Sequence, residues 1–357
     1  MSGDHVAARG SAVATDSDYR EAAALLRQAG RVVMTTHVKP DADGLGSMAA
    51  LKRWLRGLGK AAEIIVPTPP PPRYAVLDPD RSVKVAGRDV DLASLDPPDL
   101  VCVVDAGTWQ QLAGMEPLVG QSGAPVLIID HHRSHDVPAD RLLVDPEAVA
   151  AAEIVYRLLK EAGAAIDAET ALYLFAGLVA DTDWFRLATV RPETFHLAAA
   201  LVEAGARPNV VHDKLHLSDD LTKVQLLGRA IETLRPALDG RVMVMRLTQA
   251  LFREIGADIG DTENLINECM KVRGTQVGVM LVEADGDEIR VSLRSRPPVD
   301  VLRVAERFGG GGHHRAAGAR LQGPIDRAST RVIEAVRETL DAADRACHRP
   351  GEPQEKP

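Results

Sequence analysis

Eight acidic and histidine side chains in the first half of the chain have the types and spacing of metal ligands. They are His37, Asp41, Asp43, Asp105, Asp130, His131, His132 and Asp181. Carboxylate oxygens combined with imidazole nitrogens, without thiolates, favour Mn²⁺ over a structural zinc ion, with Mg²⁺, Fe²⁺ or Co²⁺ as alternatives. Two such ions about 3.5–4 Å apart can hold both the attacking and the leaving oxygen of a phosphoryl group. The residue types therefore point to phosphoester hydrolysis.

Apolar, β-branched runs alternate with segments of helical periodicity, which is the pattern of a parallel sheet built from βαβ units. The predicted strands cover 31–36, 63–66, 100–104 and 126–129. The predicted helices cover 47–58, 152–161 and 169–180. In open parallel sheets, ligands bind at the carboxyl ends of the strands. Three of these strand ends carry proposed ligands, so we expect the ligands to meet at one edge of the sheet.

The motifs at Asp41, Asp105 and Asp181 each have an explanation that involves no metal, whereas Asp130-His131-His132 is less easily explained by turn chemistry. The segment after the first strand suits a polar loop with Ser47 as the helix N-cap and with Gly44 and Gly46 permitting the turn. Asp105 is a common turn former, and Asp181 suits the N-cap of a following turn. Independent turns, however, do not require acidic or imidazole groups at three strand ends. The series as a whole favours a metal site.

Length and composition limit the class of protein. A chain of 357 residues exceeds what one core usually organises, so two domains are expected. The net charge of −9 argues against a broad basic surface for long duplex nucleic acid. Cys102, Cys269 and Cys347 are far apart, which favours reduced thiols in the cytoplasm over a disulfide framework. No signal peptide or long apolar span is apparent, so no membrane partner is expected.

We predict an α/β protein of two domains with a cleft between them. A doubly wound, mainly parallel sheet is expected over 18–207, a helical linker over 208–238, and a smaller α/β substrate-binding domain over 239–346. The polar ends 1–17 and 347–357 are predicted to be disordered tails. The sequence leaves the oligomeric state open and is compatible with a homodimer.

The second half contains one run with ligand-binding character, GGGGHHRAAG at 309–318. Its glycines allow a phosphate to approach backbone N–H groups, although a flexible turn between a helix and a strand is the alternative. Seven arginines lie between 290 and 320, where the only acidic residues are Asp300 and Glu306. Guanidinium groups bind phosphate in bidentate geometry, so this region predicts a phosphate-binding surface.

Together these motifs resemble those of the DHH phosphoesterases, in particular the RecJ-like branch of small oligoribonucleases and phosphoadenosine phosphate (pAp) phosphatases. The matching N-terminal residues are His37-x-x-Pro40-Asp41-x-Asp43-x-x-Gly46-Ser47, Asp105, Asp130-His131-His132, Asp181-Thr182 and Phe185-Arg186. The glycine-rich run and the segment SLRS at 292–295 look like the substrate-binding signatures of the DHH-associated C-terminal domain. The resemblance covers nearly the whole chain between the predicted tails.

The resemblance implies a role for each matching residue. One metal ion would be held by His37, Asp41 and Asp105, and the second by Asp43, Asp105, His131 and Asp181. His132 would lie beside the scissile phosphate, with Asp130 supporting the neighbouring imidazole and metal-bound hydroxide as the nucleophile. Substrate contacts would come from Arg294, Ser295, Gly310, Gly311, Gly312 and His313.

The implied reaction releases mononucleotides from very short RNA or DNA, converts pAp to AMP, or both. Linear dinucleotides stay open as substrates because Asp183 stands where the family usually has glycine, and 187–189 also depart from the pattern. His314 is a further departure, in a position where the family varies. A pyrophosphatase or exopolyphosphatase is a second reading, disfavoured by the glycine-rich run. A nucleotide sensor without catalysis is a third, disfavoured by the complete set of ligands.

Overall fold

The computed structural model describes residues 13–284 and 286–347. Most of both predicted tails therefore lies outside the described residues. The chain divides into two compact units, with the division between Ser218 and Asp219. In the described part of the chain, no helix is both long and apolar enough to cross a membrane.

The first helix, α1 (Asp16–Gln28), begins inside the predicted N-terminal tail. The Thr15 hydroxyl accepts a hydrogen bond from the Asp18 amide, and the Asp18 carboxylate accepts one from the Thr15 amide. This reciprocal capping box satisfies backbone donors that are otherwise unpaired at a helix start. The prediction of a disordered tail over 1–17 is therefore wrong for residues 15–17, which form the cap and the first residues of α1.

The first unit is built on one parallel sheet. After α1, its helices are α2 (Ala42–Gly57), α3 (Glu116–Val119), α4 (Ala151–Glu161), α5 (Ala168–Asp181), α6 (Pro192–Glu203) and α7 (Pro208–His216). Its strands are β1 (Arg31–Thr35), β2 (Ala61–Val66), β3 (Lys84–Val85), β4 (Leu100–Val104), β5 (Val126–Asp130) and β6 (Arg141–Val144). The strand order is β3-β2-β1-β4-β5-β6 with all neighbours parallel. This order confirms the predicted doubly wound sheet.

Both faces of this sheet are covered, as the continuous apolar runs predict. Val32 and Met34 of β1 belong to a core shared with α1, α2, α4 and α5. Val33, between them, belongs to a second core on the opposite face, with Leu112 and Met115. Because the side-chain direction alternates along a strand, a five-residue apolar strand fills both cores.

Helix α2 begins five residues earlier than the predicted helix start at 47. Asp41, not Ser47, is the N-cap, and its side chain accepts hydrogen bonds from the amides of Asp43 and Gly44. The glycines therefore lie inside the helix and do not form a turn. A Cβ on Gly44 would lie 2.4 Å from the Thr36 hydroxyl, and one on Gly46 would lie 2.3 Å from the Tyr173 carbonyl oxygen of α5. Glycine is therefore required at both positions because neighbouring atoms leave no space for a side chain, and not because the backbone needs extra conformational freedom.

The second unit contains a mixed sheet. Its helices are α8 (Leu221–Glu232), α9 (Gln249–Ile255), α10 (Ile266–Lys271), α11 (Leu302–Glu306) and α12 (Ile325–Cys347). Its strands are β7 (Arg235–Ala237), β8 (Val242–Leu247), β9 (Val277–Glu283), β10 (Glu288–Ser295), β11 (Gly311–His313) and β12 (Ala316–Gln322). The order is β11-β12-β10-β9-β8-β7, with only β8 and β9 parallel. The segment 208–238, predicted as a linker, contains α7 of the first unit and α8 and β7 of the second.

Candidate metal centre

Asp105 lies at the middle of the acidic and histidine cluster. It follows β4, is 3% exposed and adopts a left-handed backbone conformation with φ of 58°. Such a conformation is uncommon for a residue other than glycine, and aspartate is among those that tolerate it. Its Oδ2 lies 3.4 Å from Nε2 of His37, and its Oδ1 lies 3.4 Å from Nε2 of His131. One carboxylate thus faces two separate imidazoles.

The first group of ligand atoms belongs to His37, Asp41 and Asp105. Asp41 Oδ1 caps helix α2, while its Oδ2 lies 3.6 Å from Nε2 of His37. The other ring nitrogen of His37, Nδ1, lies 2.8 Å from the Val38 carbonyl oxygen and donates to it. This bond leaves the lone pair of Nε2 for a cation, which is the usual arrangement at metal-binding histidines.

The second group consists of Asp43, His131 and Asp181. Nε2 of His131 lies 3.1 Å from Asp181 Oδ2, and its Nδ1 lies 3.3 Å from the Ala148 carbonyl oxygen. Asp43 is fully buried at the amino end of α4, where its two oxygens accept the amides of Ala151 and Ala152. These bonds replace a side-chain cap that Ala150 cannot provide, and they leave further lone pairs on Asp43 for a cation.

The electrostatics of these groups fit a cation. Burial, followed by the negative charges of Asp181 and Asp105, raises the pKa of Asp43 well above its usual range. Asp105 Oδ1 and His131 Nε2 are buried and make no hydrogen bond within the described residues. Buried polar atoms without partners are costly, and a divalent ion would satisfy both and reduce the repulsion among the carboxylates. The cluster therefore forms a site for divalent metal ions.

Asp130 and His132 form a third group of possible ligand atoms with Asp105 and His131, but their hydrogen bonds differ from those of the first two groups. Asp130 is fully buried, and its Oδ1 lies 2.7 Å from Nδ1 of His132 while also accepting the amides of His131 and His132. Its Oδ2 accepts from Nε2 of His135 at 3.0 Å. Both oxygens are thus engaged, so Asp130 orients imidazoles. The His132 side chain is 44% exposed, in contrast to the fully buried Asp130.

His135 is the residue of this network that the sequence analysis missed. The signal was the third histidine in Asp130-His131-His132-x-x-His135. Its ring occupies space that Gly107 provides, because a Cβ on Gly107 would lie 2.1 Å from Cδ2 of His135. The pKa of Asp130 is lowered because hydrogen bonds from His132 and His135 outweigh the burial that opposes its ionisation.

The turn after Asp181 accounts for one departure from the family pattern. Asp183, Trp184 and Phe185 all have positive φ, between 47° and 64°. Glycine adopts this conformation most readily, and asparagine and aspartate tolerate it better than most other residues. The Thr182 hydroxyl is buried, donates to the Leu178 carbonyl and accepts the Phe185 amide, which holds the turn to α5.

The predicted substrate residues lie together in the second unit. Strand β11 pairs with β12, so part of the glycine-rich run is an edge strand and not a flexible turn. Across the sheet, Arg294 pairs with Ala316, which pairs with His313. Paired residues of antiparallel strands share a face, so Arg294 and His313 flank the small Ala316 on one face. Arg294 donates to the Leu293 carbonyl oxygen, and burial lowers its pKa.

The remaining predicted substrate residues differ in what surrounds them. A Cβ on Gly310 would lie 2.1 Å from the Gly318 carbonyl oxygen, and one on Gly312 would lie 2.5 Å from that of Ala316, whereas Gly311 borders open space. The Ser295 hydroxyl donates to the Val299 carbonyl at 2.7 Å, which commits its single proton. Ser295 therefore holds the neighbouring backbone, and Gly311 is the glycine left accessible to a ligand.

The seven arginines between 290 and 320 separate into two sets. Four form ion pairs with carboxylates: Arg290, Arg303, Arg307 and Arg320. The other three donate only to backbone carbonyls within the described residues: Arg294, Arg296 and Arg315. His314 pairs with Asp300, whereas His313 has no such carboxylate partner in the same part of the chain. The groups without counter-charges thus lie at the end of β10 and beside β11.

Comparisons with known proteins agree with this architecture. The model of the DHH family, N-terminal domain, matches residues 31–178, and that of the DHHA1 domain matches 239–348. The bifunctional oligoribonuclease and PAP phosphatase NrnA of Thermus thermophilus is 31% identical over 88% of this chain and 91% of its own. The protein of the same name from Bacillus subtilis is 28% identical over 81% of this chain and 89% of its own.

Solved structures show the same fold. The crystal structure of an exopolyphosphatase-related protein from Bacteroides fragilis superposes with a TM-score of 0.87 at 22% identity, covering 94% of this chain and 99% of the other. RecJ from Thermus thermophilus in complex with Mn²⁺ has a TM-score of 0.50 at 20% identity, covering 91% of this chain and 55% of the other. With its metal-ligand cluster at the carboxyl edge of the sheet and a DHHA1 domain after it, the chain belongs to the DHH family.

Proposed function

We propose that this protein is a metal-dependent phosphoester hydrolase that releases mononucleotides from short oligonucleotides and converts pAp to AMP. The observation that carries the proposal is the position of Asp105, whose two oxygens face the two groups of ligand atoms separately. The names of the relatives from Thermus thermophilus and Bacillus subtilis support the same substrates. Two bound ions, which we propose to be Mn²⁺, would supply a nucleophile from water and neutralise charge on the phosphoryl oxygens.

The residues of the chain prepare this chemistry in three ways. The carbonyls of Val38 and Ala148 hold His37 and His131 with Nε2 directed at the carboxylates. The hydrogen bond that His132 donates to Asp130, together with the negative charge of that carboxylate, raises the pKa of His132. The raised pKa favours the protonated ring, and the exposed side of His132 is proposed to donate to a phosphoryl oxygen or to the leaving oxygen.

Substrate selection is proposed to lie in the second unit. Arg294, Arg296 and Arg315 have no carboxylate partners among the described residues and are available to a phosphate. Gly311 leaves space beside its backbone, and His313 shares a sheet face with Arg294. A ligand with a terminal phosphate fits these groups, because guanidinium and backbone donors recognise phosphate oxygens without reading a base sequence.

A substrate panel tests this proposal. Metal-free protein is reloaded with Mn²⁺, Mg²⁺ or Co²⁺ and incubated with an RNA dinucleotide, a linear pApA-type dinucleotide, pAp or pyrophosphate, and products are resolved by chromatography. We expect mononucleotide from the dinucleotides and AMP from pAp, fastest with Mn²⁺, and no release from pyrophosphate. Asp105→Asn should abolish turnover, whereas Asp89→Asn, which alters a surface pair with Arg88, should not. Hydrolysis of pyrophosphate alone would contradict the proposed substrates.

We further propose that the protein is cytoplasmic. Cys102 and Cys269 are buried free thiols. Burial raises the pKa of Cys102 to about 12 and that of Cys269 to about 11, so both thiols are protonated at neutral pH. These properties suit a reducing compartment, where unpaired cysteines persist.

A further inference from the structure

His37 and His131 of the metal centre are both oriented by backbone carbonyl groups. Nδ1 of His37 lies 2.8 Å from the Val38 carbonyl oxygen, and Nδ1 of His131 lies 3.3 Å from that of Ala148. These bonds direct Nε2 of each ring to the carboxylates, so the direction of each carbonyl sets the direction of an imidazole. A carbonyl turns with its peptide plane unless another group holds that plane. The groups that hold these two planes therefore control the two histidines.

The peptide plane that faces His131 is held by Glu153. In a planar trans peptide, the carbonyl of one residue and the N–H of the next point in opposite directions. The Ala148 carbonyl therefore shares its plane with the Val149 N–H, which donates to Oε2 of Glu153 at 3.0 Å. Rotation of this carbonyl away from His131 would break that bond. The carboxylate, the peptide group and the imidazole thus form one continuous chain of hydrogen bonds.

The contact made by Glu153 is buried and differs from an ordinary helix cap. Ala148 and Val149 are each 5% exposed and Glu153 is 8% exposed, so water does not readily replace the carboxylate. A glutamate at the third position of a helix usually accepts the amide of the N-cap residue, which here is Ala150. Glu153 instead accepts the amide before it, while Arg191 donates to its other oxygen at 3.5 Å. Glu153 therefore serves the loop before α4.

A matching arrangement holds His37. The Val38 carbonyl shares its peptide plane with the Lys39 N–H, which donates to Oγ1 of Thr68 at 2.8 Å. Lys39 has a φ of 57°, a conformation that is uncommon for residues other than glycine, so local preference does not fix this plane. Thr68 lies in the proline-rich segment after β2, far along the chain from Glu153. Two unrelated segments thus make the same kind of contact.

We propose that Glu153 and Thr68 are positioning residues of the metal centre, each holding the peptide group that orients one histidine. Glu153 acts on the group of ligand atoms that contains His131, and Thr68 acts on the group that contains His37. Neither side chain is proposed to bind an ion. The inference rests on the proposed metal centre and not on the choice of substrate. Loss of either contact should weaken one group of ligand atoms and leave the other intact.

Calorimetric titration of the metal-free protein with MnCl₂ tests the proposal. We expect the unsubstituted protein to bind two ions. Glu153→Ala should weaken the binding of one ion about tenfold or more, the usual effect of removing a group that orients a metal-binding histidine. Glu153→Gln keeps an oxygen that accepts the Val149 amide, so it should retain most of the affinity. Thr68→Val should weaken one ion several-fold, because Thr68 is partly exposed and water replaces its hydroxyl more easily.

Two background variants identify the ion that is affected. His131→Ala already removes the imidazole that Glu153 positions, so Glu153→Ala should change the remaining Mn²⁺ affinity little in that background. In a His37→Ala background it should still weaken binding about tenfold. Thr68→Val should show the opposite pattern. Glu161→Ala is the matched control, because Glu161 is an exposed glutamate at the other end of α4, and it should leave both affinities unchanged.

Equal effects of Glu153→Ala in the two backgrounds would overturn the proposal, and so would equal losses of affinity in Glu153→Ala and Glu153→Gln. An unsubstituted protein that binds no Mn²⁺ would overturn the metal centre together with this inference, which distinguishes the two failures. Thermal melts of each metal-free variant show that it is folded. If Glu153→Ala does not fold, Thr68→Val in the two backgrounds decides the outcome.

Discussion

Nδ1 of His132 lies 2.7 Å from Oδ1 of Asp130, and Asp130 is fully buried. The same carboxylate accepts two backbone amides and the ring of His135. The half-exposed imidazole of His132 is therefore held by a carboxylate that has no solvent contact. Because both oxygens of Asp130 are engaged in hydrogen bonds, we expect this carboxylate to orient His132 and to leave metal binding to other residues.

Replacement of Asp130 by asparagine should disable catalysis without emptying the metal centre. The amide carries no charge, so it should no longer raise the pKa of His132 as the carboxylate does. We expect kcat to fall by about 10²–10⁴, the usual contribution of a general acid or base. Steady-state kinetics and metal analysis of the same sample measure both effects. Loss of bound metal in proportion to activity would show that Asp130 belongs to the ligand set instead.

Gly107 and His135 should be coupled in stability. A Cβ at position 107 would overlap the imidazole of His135, so Gly107→Ala should lower the free energy of unfolding by about 1–3 kcal/mol, as overpacking usually does. In a His135→Ala background the same substitution should cost much less. Chemical denaturation of the two single variants and the double variant measures the coupling. Additive effects would contradict the close contact.

Metal binding should release protons. In the metal-free protein, burial lowers the pKa of His37, but the carboxylates of Asp105 and Asp41 outweigh it and raise that pKa to about 11. The carboxylates of Asp105 and Asp181 similarly outweigh burial and raise the pKa of His131 to about 12. Both rings must lose a proton from Nε2 to bind a cation. At pH 8, Mn²⁺ binding should release about two protons, and apparent affinity should rise with pH. Calorimetry in two buffers of different ionisation enthalpy counts the protons, and an enthalpy independent of buffer would exclude the linkage.

The same shifts predict how the metal-free protein responds to pH. Because the folded pKa values of His37 and His131 are raised, their contribution to stability is fully present below the unfolded value of about 6.5 and is lost as pH rises through the folded values. We therefore expect the metal-free protein to lose stability on the alkaline side, and Mn²⁺ to restore it. Thermal melts from pH 6 to pH 10 with and without Mn²⁺ measure the difference. A metal-free melting temperature that rises throughout this range would contradict the assignment.

Arg294 and Arg320 offer a matched test of substrate binding. Both belong to the second sheet, but Arg320 pairs with Glu288, whereas Arg294 has no carboxylate partner in the described chain. Arg294→Gln should raise KM about tenfold or more, since a charge-assisted contact to phosphate contributes about 1.5–3 kcal/mol. Arg320→Gln should leave KM unchanged. Equal effects of the two substitutions would indicate a general loss of positive charge.

The sequence alone predicts the parallel sheet and the edge at which the ligands lie. Five-residue apolar strands followed by aspartate or histidine leave little freedom, because a strand buried on both faces ends where polar residues begin. The start of α2, in contrast, was predicted five residues too late. Gly44 and Gly46 indicate a turn when read locally, and only the contacts with Thr36 and Tyr173 explain why they lie inside a helix.

What the sequence determined is the set of ligand types and their order along the chain, since metal preference follows from the chemistry of carboxylates and imidazoles. Only the tertiary structure decided how each oxygen and nitrogen is used. The two oxygens of Asp105 face different imidazoles, Asp43 also caps α4, and Asp130 serves His132 and His135. How each atom is used depends on how closely α4, α5 and the loop after β5 pack together. That packing arises from contacts between residues far apart in the chain.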